Sequence, residues 1–120
     1  MDKKRLLIVD DDSRNIFALV NTLRAKSFEC LSCLSAEEAL KILKSEEVID
    51  AVLIDMMMPE MDGYEAIPLI KKDIVSPPLI VAITAQAMPG DKEKCLEAGA
   101  DAYISKPVDV DKLLMVLSKI

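Results

Sequence analysis

The sequence predicts an α/β domain, a five-stranded parallel sheet wrapped by helices, and three observations carry that reading. Short apolar runs alternate with segments whose apolar residues recur at helical spacing, and five such units fill the chain. The runs at 6–9, 51–54 and 79–83 are continuously apolar, as strands buried on both faces must be, whereas 29–34 and 101–105 are mixed or short. With 120 residues and 52% hydrophobic content, the chain has the size and core of one compact domain, spanning residues 1–120.

In chain order, the first strand (6–9) runs into Asp10, Asp11 and Asp12. Ile16, Leu19, Val20 and Leu23 then make one helical stripe, and Ala36, Ala39, Leu40 and Leu43 make a second after the strand at 29–34. Ser35 with Glu38, and Asp62 with Glu65, have capping-box spacing and mark helix starts. Asp55 ends the third strand and Thr84 the fourth. Pro68 interrupts the third helix; it removes a backbone donor and crowds the preceding turn, which predicts a kink or a late start. Gly99 suits the left-handed residue that ends a helix. Lys106 follows the fifth strand, and Val110, Leu113, Leu114 and Leu117 form the last stripe. Continuously apolar strands belong in the centre and mixed ones at the edges. With right-handed crossovers, that favours the order 2-1-3-4-5, the flavodoxin-like doubly wound arrangement.

Composition excludes several functions. Fifteen basic against 21 acidic residues, a net charge of −6, lack the positive field that nucleic-acid backbones require. The apolar runs fall far short of the roughly 20 residues that span a bilayer. The opening Met-Asp-Lys-Lys-Arg leads straight into a strand without the apolar stretch of a secretion signal, which predicts a cytoplasmic address. Cys30 and Cys33 have CxxC spacing, but on a strand residues three apart face opposite sides, so small-residue packing is expected rather than redox or zinc chemistry. Three glycines, none in a phosphate-cradling loop, argue against nucleotide-cofactor binding.

Asp10, Asp11, Asp55, Thr84 and Lys106 all fall at carboxyl ends of strands, which form one rim of a parallel sheet. Taken singly, each has a plain explanation as a cap, a backbone partner or a surface charge; their joint placement is the functional signal. Three carboxylates so close repel by about 4 kcal/mol per pair at 4 Å and an effective dielectric near 20, and Lys106 alone cannot balance them. A hard divalent cation with oxygen ligands, Mg²⁺, is the natural partner and accepts a phosphate oxygen as well. Asp55 then reads as a nucleophile toward phosphorus, with Lys106 and the Thr84 hydroxyl stabilising charge on the transferred group. Met56, Met57, Met58 and Met61 are expected to pack flexibly beneath a loop.

Together these residues resemble the receiver domains of response regulators in two-component signalling, over essentially the whole chain. The likeness rests on Leu6-Leu7-Ile8-Val9-Asp10-Asp11-Asp12, on residues 52–63 around Asp55-Met56-Met57-Met58-Pro59, on Ile83-Thr84-Ala85, and on Ser105-Lys106-Pro107. It implies a stoichiometric phosphoacceptor rather than a turnover enzyme, with Asp55 phosphorylated by a histidine kinase or histidine phosphotransfer domain. It further implies Mg²⁺ held by Asp11 and Asp55, by Asp10 mainly through water, and by the Met57 carbonyl. Thr84 and Tyr103 would be the switch pair, the Lys106-Pro107 bond cis, and the fourth helix, fifth strand and fifth helix the output face. Residues 12–19 and 60–66 look most like receivers attached to hybrid sensor kinases.

Pro68 departs from the usual pattern of similar receivers. So do Met57, which cannot hydrogen-bond an attacking water, and Gln86, which is not acidic; both imply slow self-dephosphorylation. Two other readings compete. An unphosphorylated receiver-like binding module conflicts with the intact acidic rim. A haloacid dehalogenase-type phosphatase conflicts with Arg14, where its signature has Thr or Val, and with the lack of room for a cap.

Overall fold

The structure, a computed structural model, describes residues 3–85 and 88–120. Strands and helices alternate as β1 (Arg5–Val9), α1 (Ser13–Ala25), β2 (Glu29–Cys33), α2 (Ala36–Lys44), β3 (Ala51–Asp55), α3 (Gly63–Asp73), β4 (Leu79–Thr84), α4 (Asp91–Ala98), β5 (Ala102–Ser105) and α5 (Val110–Leu117). All pairings are parallel and the order is β2-β1-β3-β4-β5. The continuously apolar strands β1, β3 and β4 are the central three, and the mixed strands are the edges.

Period-two alternation splits the core into two layers. Leu7, Val9, Val52, Ile54, Ile80 and Ala82 face α2, α3 and α4, where Leu43, Ile67, Ile70 and Cys95 complete one layer. Leu6, Ile8, Leu53, Val81 and Ile83 face α1 and α5, closed by Leu23, Leu113 and Leu117. Cys33 belongs to the first layer and Cys30 packs against the second, so the CxxC pair is divided by the sheet. Burial pushes the Cys33 thiol up to about 11, which leaves it a protonated packing group.

Helix ends follow local chemistry. Ser35 Oγ accepts the Glu38 N–H at 3.2 Å and Asp62 Oδ1 accepts the Glu65 N–H at 3.0 Å. Gly99, at φ 117°, ends α4 in the left-handed region. Pro68 does not delay α3. The helix starts at Gly63 and runs through the proline to Asp73, because the Asp62 cap anchors its first turn. Pro68 is exposed, so its ring faces solvent rather than a packed neighbour.

Gly63 places the start of α3 against the residue that follows Asp55. Its N–H donates to the Met56 carbonyl at 3.2 Å, and an added Cβ would collide with Met56 Sδ and lie 2.9 Å from Met56 Cα. The sulfur can swing away, but the backbone cannot. Gly63→Ala is therefore expected to destabilise the fold by about 1–3 kcal/mol, read from urea unfolding. None of the described helices is long and apolar enough to cross a membrane.

Candidate functional site at the carboxyl ends of the strands

Parallel register levels the strand ends: Val9 pairs with Ile54, Asp55 with Ile83, and Thr84 with Ser105. Asp10 follows β1, Asp55 and Thr84 close β3 and β4, and Lys106 follows β5, so the four share one rim. Asp10 and Asp55 are each 6% exposed and Thr84 1%, whereas Asp11 stands in solvent. One carboxylate oxygen from each of Asp10, Asp11 and Asp55 lies within 4.8 Å of the others.

Lys106 bridges the two buried acids, its Nζ 3.3 Å from Asp55 Oδ2 and 3.4 Å from Asp10 Oδ2. Asp55 Oδ1 accepts the Met57 N–H at 3.0 Å. Asp10 is held at both oxygens, Oδ1 by the Asp12 N–H at 2.9 Å and Oδ2 by the Asn15 amide at 3.4 Å. The Lys106 N–H donates to the Thr84 carbonyl at 2.8 Å, tying the β5 end to β4, and the Lys106-Pro107 peptide bond is cis. Beside the rim, a cleft of about 520 Å³ opens between α1 and the chain entering α5, lined by Asn15, Leu19, Asp55, Lys106 and Val110 among others.

Burial pushes the Asp55 carboxyl above the usual carboxylate range, and Asp10 adds to this; the Met57 N–H and Lys106 pull the other way without prevailing. Burial lowers the Lys106 ammonium, but Asp55 and Asp10 outweigh it and raise the group overall. One partner of the ion pair is thus stabilised as an ion and the other is not. The asymmetry comes first from burial of Asp55, which one ammonium divided between two carboxylates only partly offsets. With Asp11 included, three negative charges face one positive charge, and the excess suits a cation.

Of the methionines expected to pack beneath the loop, Met56 and Met58 are buried and Met61 packs against the core. Met57 does not: its side chain is 48% exposed, because its backbone N–H turns inward to Asp55. Tyr103 is half-buried against the layer that contains Cys95. Gln86 lies outside the described residues. Asn15 was not singled out from the sequence, though a polar residue in the first turn of a helix leaving β1 is placed to reach back over the rim.

The chain matches the family model described as the response regulator receiver domain over residues 6–118. It is 37% identical over 117 residues to the sensor histidine kinase RcsC of Salmonella typhi, covering 98% of this chain and 12% of that curated relative's length. The receiver domain of the Pseudomonas aeruginosa sensor histidine kinase PA1611, solved with a magnesium ion in its active-site cleft, superposes with a TM-score of 0.87 at 28% identity, covering 98% of this chain and 97% of that one. The receiver domain of Saccharomyces cerevisiae Ssk1, solved with the histidine phosphotransfer protein Ypd1, gives a TM-score of 0.84 at 29% identity, over 93% and 84% of the two chains. By fold, rim and family match, the chain belongs to the response regulator receiver domains of two-component signalling.

Proposed function

We propose that the chain accepts a phosphoryl group on Asp55 from a phosphohistidine of a histidine kinase or histidine phosphotransfer domain, in the cytoplasm, and passes the change to the face formed by α4, β5 and α5. The observation that carries this reading is the buried Asp55 carboxylate at the strand rim, sharing one lysine with Asp10 and facing a third carboxylate. The magnesium-bound PA1611 receiver and the Ssk1 receiver paired with Ypd1 support it by likeness.

The donor set fits Mg²⁺: all three side chains offer hard oxygen ligands, and the local charge is in excess. Asp11 and Asp55 would hold the ion directly. Asp10 would meet it through water, and the Met57 carbonyl would add a ligand. When bound, the ion neutralises charge on the carboxylates and on the transferred group. An Asp55 oxygen then attacks phosphorus, the P–N bond of the donor breaks, and its electron pair returns to the imidazole nitrogen. Lys106 moves from carboxylate to phosphoryl oxygen, and the Thr84 hydroxyl donates to another, drawing Tyr103 inward as its space is vacated.

The test is phosphotransfer from a labelled histidine phosphotransfer protein. One phosphoryl group should move to the unmutated chain and none to Asp55→Asn; transfer to Asp55→Asn would refute the assignment. The exposed Met57 side chain offers a hydrolytic water only a weak thioether acceptor and no donor. Met57→Asn is therefore expected to shorten the phosphoryl lifetime several-fold, and a lifetime that stayed the same or lengthened would count against the role of this position.

A further inference from the structure

Two tyrosines, Tyr64 and Tyr103, pack against the core layer that contains Cys95 of α4. The Tyr64 hydroxyl, in the first turn of α3, is 3.7 Å from Cys95 Sγ, and Cys95 is fully buried in α4. Tyr103 of β5 packs against the same core layer. Asp91, at the start of α4, is also buried; its Oδ2 accepts the Met88 N–H at 2.9 Å and its own N–H donates to the Met88 carbonyl at 3.2 Å. Burial, then Cys95 and Asp91, push the Tyr64 phenol up to about 12, so it stays protonated, and either it or the Cys95 thiol can donate in their contact.

Tyr64 is also joined to the acceptor side of the molecule. It follows Gly63, whose N–H donates to the carbonyl of Met56, the residue after Asp55. A continuous route therefore runs from Asp55-Met56 through Gly63-Tyr64 to Cys95 in α4, and Tyr103 packs against the same core layer. Sulfur is a weak hydrogen-bond partner, so this contact can open more readily than one between oxygens.

We propose that Tyr64 and Cys95 form a latch between the phosphoacceptor loop and α4. It holds the conformation in which Asp55 is an unmodified carboxylate paired with Lys106, and so sets how readily Tyr103 and α4 move. Both are positioning residues, and the inference rests on the phosphoacceptor reading above.

Tyr64→Phe keeps the ring and removes only the hydroxyl, so simple core packing predicts no change. The experiment compares it with Cys95→Ala and Cys95→Ser by the rate of Asp55 labelling with acetyl phosphate and Mg²⁺, and by NMR of the Tyr103 ring. Loss of one hydrogen bond should speed labelling by about two- to fivefold in Tyr64→Phe and Cys95→Ala, with Tyr103 signals displaced toward those of the phosphorylated protein. Cys95→Ser, which retains a partner for the hydroxyl, should stay near the unmutated rate. If the unmutated protein labels and Tyr64→Phe labels no faster, the latch is overturned alone. If the unmutated protein cannot be labelled, by acetyl phosphate or by a phosphotransfer protein, the phosphoacceptor reading falls and the latch with it.

Discussion

Lys106→Ala is expected to slow phosphoryl transfer to Asp55 by about 10²–10³-fold, the range seen when a preorganised charge-stabilising donor is removed. Lys106 bridges Asp55 and Asp10 at 3.3 and 3.4 Å, so it is already within a short swing of where phosphoryl oxygens would stand. Its removal also leaves two buried carboxylates without their shared cation. The side chain is 24% exposed, so solvent screens part of the loss, and the expected destabilisation is about 1–3 kcal/mol rather than the full penalty for breaking a buried pair. Single-turnover labelling at saturating Mg²⁺ and donor measures the first effect, and urea unfolding the second. An unchanged rate would show that Lys106 only balances charge at rest.

Asp55→Asn is expected to stabilise the metal-free fold by about 1–2 kcal/mol at neutral pH, because relief of burial and of repulsion from Asp10 exceeds the lost contact with Lys106. The sign follows from the raised Asp55 pKa. The folded chain binds this proton more tightly than the unfolded chain. Its contribution to stability is therefore present below the ordinary carboxylate value and is lost as pH rises through the raised folded value. The gap between variant and unmutated protein should open across the carboxylate range and close in acid. Mg²⁺ should raise the melting temperature of the unmutated protein and have little effect on the variant. Thermal unfolding with and without Mg²⁺ measures both. A variant less stable than the unmutated protein at neutral pH would mean that the Lys106 pair outweighs burial.

Strand order and the acidic rim were legible from the sequence for the same reason. Central strands of a parallel sheet are apolar along their whole length, so a carboxylate at the end of Ala51-Val52-Leu53-Ile54 stands out, and topology alone brings it to Asp10 and Lys106. Contacts that depend on how one helix sits against another were not legible. Tyr64 and Cys95 are 31 residues apart and meet only because α3 and α4 pack side by side on the same layer. The Asn15 contact depends on the angle at which α1 leaves β1. Of the kink or late start expected at Pro68, the late start does not occur, because the Asp62 cap fixes the first turn of α3 ahead of the proline. The Met57 side chain is exposed rather than packed beneath the loop, because its backbone N–H is the part that turns to Asp55.

The central claim, that Asp55 is a magnesium-dependent phosphoacceptor, is tested most directly by intact-protein mass after incubation with acetyl phosphate. Samples with Mg²⁺, with a chelator, and with Asp55→Asn are run side by side. One added phosphoryl group in the unmutated, Mg²⁺-supplied sample and none in the other two is the expected result. Labelling that persists in Asp55→Asn, or that is indifferent to the chelator, would contradict it.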